Sequence, residues 1–126
     1  MRSFLCAVLP LVLAACAQGV ATSQAGGDLT LENRTGRAVM YHAIELEASH
    51  LMDPAPEWRV GDRPERLVPA GGRREVQVEG YKRGDGVRLF IYVVDAAAEK
   101  ATLARTLTVS GEELRRTGYR VVVEKL

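Results

Sequence analysis

The chain has 126 residues, with 17 Lys+Arg against 16 Asp+Glu, 47% apolar side chains and 26% charged ones. This length suits one domain, and the apolar fraction is too high for intrinsic disorder. The balanced charge excludes a nucleic-acid binder built on clustered Lys and Arg. No heptad repeat is sustained, and no apolar run reaches the ~20 residues of a spanning helix.

The first element is an export signal over residues 1–15. Met1-Arg2-Ser3 supplies positive charge, and Phe4 to Ala15 carries none. A positive start, a short apolar run and small residues at its end have the layout of a secretory signal. Pro10 in the middle of the run argues against a buried core helix. Leu13-Ala14-Ala15-Cys16 resembles the lipobox of bacterial lipoprotein precursors. The resemblance implies a diacylglycerol on the Cys16 thiol, cleavage before Cys16 and acylation of the new amino terminus. Ordinary cleavage after Ala15-Cys16-Ala17 is the alternative. Ala17 and Gln18 stand where an Asp next to the cysteine would retain such a protein in the inner membrane. The implied location is therefore the periplasmic face of the outer membrane, where the source has two membranes.

Lipid on Cys16 makes the membrane the first partner. Each buried methylene contributes ~0.8 kcal/mol, so two or more chains hold the protein durably. Cys6 leaves with the signal and Cys16 is modified, so no thiol remains for a disulfide, a metal or catalysis. Residues 16–28 read as the lipidated cysteine and a flexible tether, small and polar without periodicity. A short edge strand is the other reading of this stretch.

Residues 29–126 form the domain. Leu29 and Leu31 alternate with Thr30 and Glu32, as in a half-buried strand, and Asn33-Arg34-Thr35-Gly36 is a turn. Val39 to Glu47 is a second strand, with a β-bulge expected near Met40 because parity breaks there. A helix over 40–52 competes on propensity. Residues 48–68 are loop-rich, with three prolines and room for a short strand at Glu57-Trp58-Arg59-Val60. Pro69-Ala70-Gly71-Gly72 is a turn, and Arg74 to Glu79 alternates cleanly.

The run from Val87 to Val94 is apolar on both faces and predicts a central strand. Thr102 to Val109 is a further strand. Ser110-Gly111-Glu112-Glu113 matches a capping box and opens a short helical turn near 111–117. Tyr119 to Val123 is the last strand. Short strands at spacings near ~10 residues predict an all-β fold, an antiparallel immunoglobulin-like β-sandwich, with a small barrel as the alternative. Leu114 through Tyr119 resembles a tyrosine corner. Leu31 through Tyr41, with Val68-Pro69-Ala70-Gly71-Gly72 and Val78-Glu79-Gly80-Tyr81, resembles the opening of small exported bacterial β-domains. That resemblance implies a fold and a compartment, and no functional residue.

Catalytic chemistry finds little support. His42 and His50 are the only histidines, and in one strand they lie ~26 Å apart, too far to share a metal. Ser23, Ser49 and Ser110 lie in no nucleophile elbow, and no Gly-rich phosphate loop is present. Arg83-Gly84-Asp85 spells the tripeptide of integrin ligands, but a hairpin tip explains it equally. The expectation is a membrane-anchored envelope lipoprotein, non-enzymatic, with no cofactor or metal. It binds a protein or envelope component and no nucleic acid. Candidate recognition residues are His50, Trp58 and Arg59 in the 48–68 segment, with Tyr81, Arg83 and Asp85 in the 80–86 turn. The alternative is an envelope enzyme or enzyme inhibitor acting through the 48–68 region. His50, Asp53 and Glu57 converging on one pocket would favour the enzyme.

Overall fold

The structure, a computed structural model, describes residues 27–126. The signal-like stretch, Cys16 and most of the tether lie outside the described residues.

The described chain folds into eight strands and two short helices. In order these are β1 (Leu29–Asn33), β2 (Val39–Glu45), α1 (Leu46–Ser49), β3 (Glu57–Arg59), β4 (Leu67–Val68), β5 (Arg73–Val76), β6 (Val87–Asp95), β7 (Lys100–Val109), α2 (Gly111–Arg116) and β8 (Arg120–Val123). Two 3-10 turns, Val60–Asp62 and Pro64–Arg66, separate β3 from β4. One sheet has the order β5-β1-β8 and the other β3-β7-β6-β2-β4. The all-β expectation holds, and so does the two-sheet arrangement.

The alternation in β1 places Leu29 and Leu31 inward, where they meet Val76, Val121 and Val123 of their own sheet and Val39, Tyr41, Leu89 and Ile91 of the other. This is the main core. The five-stranded sheet is also buried on its second face. Met40, Ile44, Phe90, Tyr92 and Ala101 form a second cluster there, covered by Met52, Trp58, Val60 and Leu67. The 48–68 segment therefore supplies both edge strands of this sheet, β3 and β4, and folds Met52, Trp58 and Val60 over its second face. It carries β3 and both 3-10 turns, and burial of an otherwise exposed apolar face is what holds a stretch with so little regular structure in place. The central position of β6 follows from the same fact. It is apolar on both faces because both are covered, and it sits in the middle of its sheet.

Two expectations need correction, the all-antiparallel pairing and the bulge near Met40. The sandwich is not wholly antiparallel, because β1 pairs β8 in parallel while every other pair of named strands is antiparallel. The strand reading of Val39 to Glu47 holds over Val39–Glu45, and of the competing helix over 40–52 only Leu46–Ser49 forms. Residues 39–45 instead pair with β6 along their whole length, and this tertiary pairing outweighs helix propensity. The parity break at Met40 reflects burial on both faces, not a bulge. The bulge lies in β7, where Ile91 faces Arg105 and Tyr92 faces Leu103, leaving Ala104 extra.

The segment likened to a tyrosine corner, Leu114 through Tyr119, is the end of α2 and the turn after it. Tyr119 is a helix-terminal residue. After α2, Gly118 and Tyr119 both adopt positive φ, 68° and 62°, and Tyr119 N donates to Leu114 O at 2.7 Å, ending the helix. The capping expectation at the other end is met by Ser110, whose hydroxyl accepts from Glu113 N at 3.1 Å. Gly111 is required there, since a Cβ would collide with the Gly84 carbonyl.

Candidate functional site

β3 pairs with β7 over Glu57↔Thr102 to Arg59↔Lys100, and strand alternation turns Trp58 inward and Arg59 outward. Trp58 is half-buried. Its ring meets His42 edge-on at 5.9 Å and Tyr92 at 5.7 Å between centroids. Two guanidiniums lie over it, Arg66 at 4.9 Å and Arg63 at 5.6 Å. The Tyr92 hydroxyl donates to Ala55 O at 2.8 Å and ties the segment to the sheet. Burial raises the Tyr92 phenol pKa, and the Trp58 indole N–H beside it pulls the other way. That N–H is buried and forms no well-aligned hydrogen bond.

His50 and Arg59 are exposed and take no part in this cluster. Asp53 and Glu57 are exposed as well, and the Glu57 carboxylate faces Lys100 at 3.9 Å. The convergence of His50, Asp53 and Glu57 that an enzymatic pocket would need is not formed among the described residues. His42, which sequence reasoning paired only with His50, is buried and meets Glu79 Oε2 through Nε2 at 3.1 Å.

The 80–86 turn is a separate patch. Arg83 lies over the Tyr119 ring at 4.5 Å. Asp85 Oδ2 accepts from Lys82 N at 3.2 Å and Asp85 N donates to Lys82 O at 3.0 Å. Arg83 and Asp85 are thus both engaged in shaping the turn. Tyr81 packs half-buried against the main core, and burial raises its phenol pKa.

A third place was not anticipated. β4 covers β2 only at Val39 and Met40, and Glu79 rejoins β2 at Ala43 and Glu45 through backbone bonds of 3.0 and 2.9 Å. Between these contacts the β2 edge opens into a groove of about 490 Å3, with Tyr41 and His42 at its base. Glu65 and Arg66 form one rim, and Arg74, Gln77 and Glu79 line the groove from the β5 side. Tyr41 is buried, which raises its phenol pKa, while Arg74 and Arg66 pull it down and Glu65 pushes it up. Its hydroxyl reaches Glu65 O at 3.5 Å.

A local signal existed for part of this. Arg63 and Arg66 are three apart around Pro64, so a single turn sets both on the side of Trp58. Arg74 joins only through the packing of β5, which no local pattern reveals. Among the described residues no group of three or more His, Cys, Asp or Glu side chains could hold a metal ion. No family model, no curated protein and no solved structure matches the chain, so the meaning of the groove rests on its own geometry.

Proposed function

We propose that this chain is an exported lipoprotein, anchored by lipid on Cys16, whose folded part is a non-enzymatic binding module for an envelope component. The observation that carries the reading is the sequence Leu13-Ala14-Ala15-Cys16 at the end of a short apolar run, separated from β1 only by a small, polar linker. Ala17 and Gln18 favour the periplasmic face of the outer membrane where the source has one. The open groove on the β2 edge, beside the 48–68 segment, is where we place the ligand. Its volume lies in the range of small-molecule and peptide-end sites. An immunoglobulin-like class for the sandwich belongs to the same proposal. Size and layering support it, and the placement of β1 beside β8 and β5, in the sheet opposite β2, is the wiring it must accommodate.

Expression of the full precursor in a bacterial host tests the anchor. Wild type should partition into detergent with the membrane fraction, and Cys16→Ser should leave a folded, unlipidated chain that does not. Equal partition and identical processing of the two would overturn the reading.

A further inference from the structure

β7 is an edge strand for half its length. β3 covers it over Lys100 to Thr102, and Leu103 N donates outward to Pro56 O at 3.0 Å. Beyond the bulge at Ala104 no described strand pairs with its outer side. The backbone polarity of this free stretch follows from β2. Glu79 N donates to Ala43 O and Glu45 N donates to Glu79 O, so Ala43 and Glu45 turn their backbone groups away from β6. Their partners Leu89 and Val87 therefore turn towards β7, where they meet Leu107 and Val109. By alternation Thr106 and Thr108, both exposed, present N–H and C=O groups outward. An open edge is a template for another strand, and no Pro, Lys or further bulge guards Thr106 to Val109.

Two unpaired charges flank this edge on its core side. Arg105 lies opposite Ile91, hence on the same face as Leu107. Its Nη1 donates to Lys125 O at 2.9 Å, and it meets no carboxylate among the described residues. Glu113 of α2 lines a groove of about 320 Å3 together with Leu107, Val109 and Val121. It too forms no ion pair with a described residue.

We propose that β7 pairs with β7 of a second copy of this chain, antiparallel about a twofold axis at Leu107. Outward groups must meet outward groups, so Thr106 of each copy faces Thr108 of the other, with four backbone hydrogen bonds across the axis. Leu107 stands opposite Leu107 of the second copy at a non-hydrogen-bonded position, and the threonines form cross-strand pairs. Arg105 comes opposite Val109 of the second copy and so beside Glu113 there, and the symmetry makes this ion pair twice. A register centred on Thr106 would instead set Thr108 against the bulge at Ala104. The match of Arg105 with Glu113 is what selects a second copy over a strand from another protein. The pairing goes beyond the binding-module reading and does not depend on lipid at Cys16.

Disulfide trapping of the full precursor in the expressing bacterium tests the pairing. Opposed residues at a non-hydrogen-bonded site have Cα atoms ~4.5 Å apart, within reach of a disulfide. Leu107→Cys should give a reducible dimer of the chain under mild oxidation. Asp62→Cys, exposed on the 3-10 turn after β3, should not, and neither should wild type, whose cysteines are Cys6 and Cys16. In the Leu107→Cys chain, Arg105→Glu should lower the trapped fraction about tenfold, and Arg105→Glu combined with Glu113→Arg should recover it. Sedimentation of the full chain in detergent gives an independent reading should Leu107→Cys fail to fold. Wild type should sediment as a dimer and Thr106→Pro, which deletes an outward N–H where an edge tolerates proline, as a monomer. Equal trapping of Leu107→Cys and Asp62→Cys, no recovery in the double exchange, or a monomeric wild type overturns the proposal. A Leu107→Cys product linked to a different protein would give the edge to a partner's strand and overturns it as well.

Discussion

Asn33 is fully buried, and every polar atom of its side chain is used. Nδ2 donates to the carbonyls of Arg37 at 2.7 Å, Pro69 at 3.1 Å and Val68 at 3.2 Å, while Oδ1 accepts from Thr35 N at 3.0 Å and Thr35 Oγ1 at 2.6 Å. One side chain thereby fixes the turn after β1 against the loop after β4. Asn33→Ala should destabilise by about 2–4 kcal/mol, because each buried group left unpaired costs ~1–3 kcal/mol. Asn33→Asp should be at least as harmful, since a carboxylate faces three carbonyls that need a donor. Chemical denaturation of both variants checks this, and near-wild-type stability of Asn33→Asp would contradict it. The tyrosines give a pH prediction. Burial raises the pKa of Tyr41, Tyr81 and Tyr92 above the ordinary value of 10.0. A raised native pKa means that the neutral form is favoured in the fold. Their contribution is complete below the unfolded-state value and is lost as pH rises through the native ones. Absorbance titration should show these phenols ionising above the ordinary 10.0, with thermal stability falling in the same window. Glu32 runs the opposite way. Hydrogen bonds from Arg34 and Arg120 lower its pKa below 4.5, so its contribution is present above the unfolded value and is lost as acid titrates through the native one.

At the scale of elements, the 48–68 segment decides how Trp58 is understood. Trp58 seals the second core cluster, so Trp58→Ala should cost about 2–3 kcal/mol, somewhat less than the ~3–5 kcal/mol of a fully buried aromatic. Thermal melts measure this directly, and an unchanged melt would free Trp58 for a purely recognition role. In β6, Leu89 and Ile91 are fully buried, and alanine at either should cost about 2–5 kcal/mol. Most strands were legible because their alternation is local: Leu29 and Leu31 in β1, Val87 to Val94 in β6, and the Ser110 cap before α2. What was not legible depends on pairing between distant segments. The parallel seat of β8 on β1 and the bulge at Ala104 follow from which strands become neighbours, as does the choice of strand over helix at residues 39–45. The same holds for the site. Trp58 was visible as an aromatic in a loop, but its stacking under Arg63 and Arg66 and the placing of Arg66 and Arg74 on one groove are tertiary.

At the scale of the whole molecule, the fold is held by packing alone. Both cysteines of the chain, Cys6 and Cys16, precede the described residues, so reductant should leave the melting temperature of the domain unchanged. A large drop on reduction would mean a cross-link between chains. Packing does the work of cross-links: the small sheet, the five-stranded sheet and the 48–68 segment folded over its second face enclose two cores in one domain. This arrangement leaves the β2 edge as an open notch between layers, and it leaves the amino-terminal end of β1 as the point where the chain leads back towards Cys16. The central claim is that Cys16 is the lipidated first residue of the mature protein. Intact-mass spectrometry of the protein extracted from membranes of the expressing bacterium tests it most directly. The expected product is a chain beginning at Cys16 and heavier than its sequence by a diacylglyceryl group, with or without a further acyl chain. A mature chain of unmodified mass, whether it begins at Gln18 or retains residues before Cys16, would contradict it.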